Sequence, residues 1–145
     1  MEDFVTYDVA VKLKEKGFKE ECLAYYTTEY TLYNNEITLT DNKYLFVSNI
    51  DYEEFLVSHN SIKYTNGNYV DAPTISQVLK WLRKEKDIDI VISPVFFYDG
   101  VLGKMREYGC KVFTPSLNKP EHCGYQEEWE QAAIAGIEYA LDNFI

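Results

Sequence analysis

Between Cys22 and Val70 the chain carries eight of its 13 tyrosines, set among Thr, Ile, Val and Phe, and no other stretch restricts the fold so strongly. Aromatic and β-branched side chains suit a pleated, half-buried surface, so this region reads as strands. The pattern predicts strands near 22–32, 36–39 and 43–48, and a hairpin across 62–70. Asn66-Gly67 supplies the clearest turn, because both residues tolerate the positive φ of a type I′ connection. Asn34-Asn35 and Asp41-Asn42 are weaker signals of the same kind. Residues 52–57 fit a short helix or a loop equally well, and 101–108 fit a strand or a short helix.

Helices flank this region, each with readable ends. Thr6 can cap a helix over residues 7–16, and Asp8 suits its positive end while Lys12, Lys14 and Lys16 suit the other. Gly17 stands where a left-handed residue closes a helix, with Phe18 placed to fold back on Leu13. Pro73 disfavours helix at Ala72, and Thr74-Ile75-Ser76-Gln77 has the form of a capping box. The following helix presents Ile75, Val78, Leu79 and Leu82 as its apolar stripe, with Trp81 at the edge. Ile88, Ile90 and Ile92 then alternate as in a strand, which Pro94 either places at an edge or ends, with Val95–Tyr98 continuing it past a bend. Asp99-Gly100 turns the chain, Cys110–Thr114 returns, and residues 115–124 read as a loop. A last helix over 126–143 turns Trp129, Ala133, Ile137, Ala140 and Phe144 inward, and Ala132, Ala135 and Gly136 allow close approach to a sheet. With no βαβ pattern, the expectation is an α+β fold with antiparallel sheet, in a single domain over 1–145 with any subdomain seam near 72–74.

A chain of 145 residues can bury a core without a disulfide or a metal. No apolar run nears the roughly 20 residues needed to span a bilayer, so no membrane partner is expected. The start lacks a basic segment ahead of an apolar one, and Cys22, Cys110 and Cys123 are odd in number without CxxC spacing. Both features point to reduced thiols and a cytoplasmic location. The formal charge of -10 repels a phosphate backbone and disfavours nucleic acid. From Glu121 to Ile145 six acids occur with no Lys or Arg. Such a face keeps a protein soluble; it also suits a basic partner, or imitation of DNA phosphates by an inhibitor of a nucleic-acid-binding protein.

Several constellations invite chemistry and stop short of it. Asp99–Lys104 imitates the end of a phosphate loop but has Tyr98 and Met105 where Gly and Ser or Thr are required. Glu121-His122-Cys123 unites carboxylate, imidazole and thiol, yet a zinc site wants further donors, and adjacent side chains seldom form a nucleophile and base. A small hydrolase or transferase using Cys123 with His122 or His59 is the enzymatic alternative. Glu53-Glu54 and Asp87-x-Asp89 are acids typical of an acidic surface. Lys80, Arg83, Lys84 and Lys86 form a solvated helix face, or a weak nucleic-acid contact. No catalytic residue, metal or cofactor is assigned.

Three stretches, DFVTYDVAVKLKEKGF, APTISQVLKWLRKEK and WEQAAIAGIEYALDNFI, together resemble a family of small uncharacterised proteins encoded by phages and prophages of gut bacteria. The resemblance implies a cytoplasmic accessory protein of a mobile element, and it supplies no reaction or site residue. Tyrosine offers rigid amphipathic area to a protein partner. The expected function is therefore non-enzymatic binding of a host or phage protein, together with self-association. The candidate surface is Tyr25, Tyr26, Tyr30 and Tyr33 on the sheet, and Glu127, Glu128 and Glu130 near the last helix.

Overall fold

The computed structural model describes residues 3–33, 36–47 and 63–145, with side chains described outside 27–44, 46–47 and 63–69. The fold is α+β. Helix α1 (Tyr7–Glu15) is followed by β1 (Ala24–Tyr33), β2 (Glu36–Val47) and β3 (Lys63–Ala72), then by α2 (Ile75–Lys86). Strands β4 (Asp89–Asp99), β5 (Gly103–Phe113) and β6 (Glu121–Gln126) precede α3 (Trp129–Asn143). The chain divides into two compact units, one of Thr6–Pro73 and one of residues 1–5 with Thr74–Ile145.

In the first unit α1 closes as its sequence dictates. The Thr6 hydroxyl accepts from the Val9 amide at 3.4 Å. Gly17 takes φ 91°, and the Phe18 amide donates to the Leu13 carbonyl at 2.9 Å, burying both side chains. The sheet is antiparallel in the order β2-β1-β3. Two turn expectations are corrected here. Asp41-Asn42 does not divide two strands, because β2 is continuous, and Asn66-Gly67 does not turn a hairpin, because β3 is continuous. Thr28 pairs with Lys43 and Tyr30 with Leu39, so residues 40–42 oppose the single Glu29. Thr27 pairs with Tyr69 and Glu29 with Thr65, so residues 66–68 oppose the single Thr28. Both turn-forming triplets thus supply bulges at the same level of β1, where Asp, Asn and Gly accommodate the irregular backbone. Asn34-Asn35, Glu53-Glu54, residues 52–57 and His59 lie outside the described residues.

In the second unit Thr74 caps α2, accepting from the Gln77 amide at 3.1 Å. Its buried side is Ile75, Val78, Trp81 and Leu82, so the large indole lies inside the stripe and Leu79 is only half-buried. Asp87 ends the helix in the left-handed region at φ 55°, a conformation Asp tolerates better than most residues. Strands β4, β5 and β6 form an antiparallel sheet in that order, which puts Pro94 on an edge strand. The bend after Ser93 is absent, since β4 pairs with β5 without a register shift from Asp89 to Asp99. The loop expected over 115–124 shortens, because Glu121–Gln126 joins the sheet as β6. Helix α3 packs across the sheet, burying Ala132, Ala133, Gly136, Ile137, Ala140 and Leu141. Gly136 sets the distance: a Cβ there would lie 2.3 Å from the Cys110 Sγ and 2.7 Å from the Ile90 Cγ2. Trp129, expected inward, is 37% exposed at the first position of α3.

Candidate interaction surface

Strand β6 pairs with β5 only between Tyr108 and Val112. Beyond Tyr108 the β4–β5 hairpin therefore continues as a two-stranded ribbon, through five pairs from Val95–Glu107 to Asp99–Gly103. At ~3.4 Å per residue this arm is about 17 Å long. Asp99 pairs with Gly103 around a three-residue loop, and Gly103 takes φ 82° there. The Asp99 carboxylate accepts from the amides of Val101 at 2.8 Å and Leu102 at 2.9 Å. Those two bonds hold its pKa below the ordinary Asp value. The pinned loop leaves Val101 93% and Leu102 71% exposed at the tip.

Alternation gives the arm two sides. On the side facing α3, Ile90 and Ile92 pair with Val112 and Cys110 under the helix, and the row continues outward as Phe96 opposite Arg106 and Tyr98 opposite Lys104. Phe96 and Tyr98 are exposed. The Lys104 Nζ lies 5.0 Å from the Phe96 ring centre and the Arg106 guanidinium 5.3 Å from that of Tyr108. Among the described residues neither cation has a carboxylate partner. Phe96, Phe97, Tyr98 and Lys104 border a shallow groove of about 270 Å³. The opposite side carries Val91, Val95 and Phe97 on β4, Met105 and Phe113 on β5, and Tyr125 on β6. Of these, Val91, Phe97, Phe113 and Tyr125 are exposed.

The Glu121-His122-Cys123 triplet is split by the sheet. Gly109 pairs with Tyr125 and Lys111 with His122, so Cys123 and Gly124 together oppose Cys110, with Gly124 at φ 100°. This bulge turns Cys123 toward Cys110 under α3, whereas His122 and Tyr125 both pack over Gly109 on the far side. The His122 Nδ1 accepts from the Gly124 amide at 3.1 Å, and its ring lies 4.6 Å from that of Tyr125. Imidazole and thiol are thus held apart. Burial, then the neighbouring Cys123, pushes the Cys110 thiol up to about 12, and burial raises that of Cys123 as well. Glu121 accepts from the Tyr139 hydroxyl, which raises the pKa of that phenol. Cys22, in the other unit, is pushed up to about 11 by burial, with Asp71 and Glu20 adding to it. Among the described residues no three His, Cys, Asp or Glu side chains converge on a metal-sized site.

Of the surface expected from sequence, Tyr25 and Tyr26 are half-buried at adjacent positions of β1. Tyr26 meets Tyr7 edge to face at 5.6 Å, and burial raises its pKa. Tyr30 and Tyr33 lie on β1 by their backbone, and their side chains fall outside the described residues. Glu127 and Glu128 are exposed; Glu130, in the first turn of α3, is half-buried. The basic face of α2 is partly engaged, with the Arg83 Nε donating to Asp89 at 2.8 Å and the Lys86 Nζ 5.4 Å from the Trp81 ring centre. A groove of about 550 Å³ in the first unit is lined by Ala10, Lys14, Phe18, Lys19 and Asp71, whose charges of both signs select no ligand chemistry. The arm escaped the sequence reading because Val95–Tyr98 looks like core. The signal that could have marked it is the Asp99-Gly100…Gly103 turn, flanked by more residue pairs than the short β6 can cover. No protein-family model, no curated protein and no solved structure matches this chain. No described helix is long and apolar enough to cross a membrane.

Proposed function

We propose that this chain is an accessory protein of a phage or prophage, working in the host cytoplasm by binding another protein rather than by chemistry. One observation carries the reading: apolar side chains stand exposed along the arm tip and the helix-free side of β4–β6, where a half-covered antiparallel sheet is ordinarily polar. Val101, Leu102, Phe97, Phe113 and Tyr125 offer aromatic and branched anchors of the kind that concentrate binding energy, on a backbone that loses little freedom on docking. The arm also extends its tip beyond the three-stranded part of its own sheet, by about 17 Å at ~3.4 Å per residue. The phage setting is supported by the three stretches quoted above.

The test is affinity purification of the whole chain and of its V101S/L102S/F97S variant from cells that express it. A polypeptide recovered in near-stoichiometric amount with the unaltered chain, and depleted at least ~10-fold with the variant, supports the reading. Equal recovery with both, or none with either, overturns it.

A further inference from the structure

The geometry points to a second copy of this chain as the occupant of the cationic, aromatic side of the arm, seated on the segment Glu127-Glu128-Trp129-Glu130. The inference rests on the reading of the chain as a binding protein, but it uses the side of the arm opposite to the one just described.

Two surfaces of the second unit are complementary, and among the described residues no ion pair satisfies either of them. The arm presents Phe96, Tyr98, Lys104 and Arg106 on one side, while its acids, Asp99 and Glu107, alternate to the other. The cations rest on aromatic rings in place of carboxylates. The second surface places an exposed indole among exposed carboxylates, in a stretch with no Lys or Arg from Glu121 to the end. Its carboxylates can pair with Lys104 and Arg106, and Trp129 is a large ring for Phe96 and Tyr98 to stack against. Trp, Tyr and Arg are also the residues on which binding energy most often concentrates.

Topology makes the pairing reciprocal. Strand β6 ends at Gln126 opposite Tyr108, so the Glu127–Glu130 segment leaves the sheet at the base of the arm. Two copies set tip to base about a two-fold axis bring both arms onto both segments at once, and closed two-fold dimers are the commonest oligomers. With Phe96 57%, Tyr98 79% and Trp129 37% exposed, these three rings from each copy can still bury roughly 500–900 Å² in all at about 150–250 Å² per whole aromatic side chain, the size of a weak, transient interface.

The experiment is sedimentation velocity on the purified full chain up to about 100 μM, enough to populate a complex with Kd of ~10–100 μM. The unaltered chain is expected to dimerise at low salt and to dissociate at about 1 M salt, where the screening length falls to ~3 Å. K104E/R106E and E127K/E128K should each be monomeric. Mixed in equal amounts they should recover a one-to-one complex, in which acrylamide quenches Trp129 less than in either variant alone. A monomeric unaltered chain, a K104E/R106E chain that dimerises as before, or a mixture that stays monomeric overturns the inference. The two tests are told apart by what they score: the purification scores a polypeptide other than this chain, whereas these outcomes score only the mass of the chain's own assemblies.

Discussion

The two halves of the β4–β5 hairpin are built on the same strands, in one unbroken register, and end differently. The half near α3 directs Ile90, Ile92, Cys110 and Val112 at the helix, with Cys110 and Val112 fully buried. The outer half directs Phe96, Tyr98, Lys104 and Arg106 into solvent. Burying a branched aliphatic side chain contributes about 1.5–3 kcal/mol, which the inner half realises and the outer half forgoes. A two-stranded hairpin alone is marginal in water. The outer half is therefore held by continuity with the inner sheet, by the Asp99 turn and by cation–π contacts worth ~0.5–1 kcal/mol each at exposed sites. Strand pattern sets which side a residue faces; the length of the covering elements decides whether that side is buried.

The sharpest way to break this contrast is to lift the helix from the inner half. Gly136→Ala places a methyl 2.3 Å from the Cys110 Sγ and 2.7 Å from the Ile90 Cγ2. Overpacking of this kind costs about 1–3 kcal/mol, against ~1 kcal/mol of helix propensity gained, so net destabilisation is expected in urea melts. Adding Cys110→Ala removes the closest atom, and the double variant should lose less than the sum of the two singles. Strict additivity would mean that Gly136 and Cys110 do not set the spacing.

A smaller effect is expected at the tip. Gly103 sits at φ 82° with open space around it, so Ala there meets strain and no clash. The left-handed conformation costs an ordinary residue about 1–2 kcal/mol, which should weaken protection of the arm amides from hydrogen exchange by ~5–30-fold. Protection at Ile90 and Val112 should not change. Gly100→Ala, with no positive φ and nothing nearby, should leave both halves as they are. If Gly103→Ala lowers protection equally in both halves, the arm unfolds with the core and the two are one cooperative unit.

Much of the fold was legible where local chemistry is decisive. Thr6, Gly17-Phe18 and Thr74…Gln77 announce helix ends because a cap is satisfied within four residues. Pro94 announces an edge because it lacks a donor. Asp41-Asn42 and Asn66-Gly67 misled because the same tolerance of unusual φ serves a bulge as well as a turn, and only pairing with β1 distinguishes them. Strand β6 was hidden since Glu121–Gln126 has little β-forming character and carries the bulge glycine Gly124. Trp129 and the aromatics of Phe96–Tyr98 were illegible in another sense. Their chemistry suits a core, and their exposure follows from how far α3 and β6 extend.

The mildest perturbation is protonation of Asp99. Its carboxylate accepts two backbone amides in the folded arm, which lowers its pKa below the unfolded value. A depressed carboxylate pKa adds order that is fully present above the unfolded pKa and is lost as pH falls through the folded one. The arm should thus be insensitive to pH above about 5 and loosen only below about pH 4. Amide shifts of Val101 and Leu102 report this directly: they should titrate together, with a midpoint below that of an exposed aspartate. Asp99→Asn keeps an acceptor oxygen and should abolish the titration while preserving the turn. Should the inner-half amides of Ile90 and Val112 titrate in step with the tip, the order of the arm would be communicated to the core and the two halves would not be separable in pH.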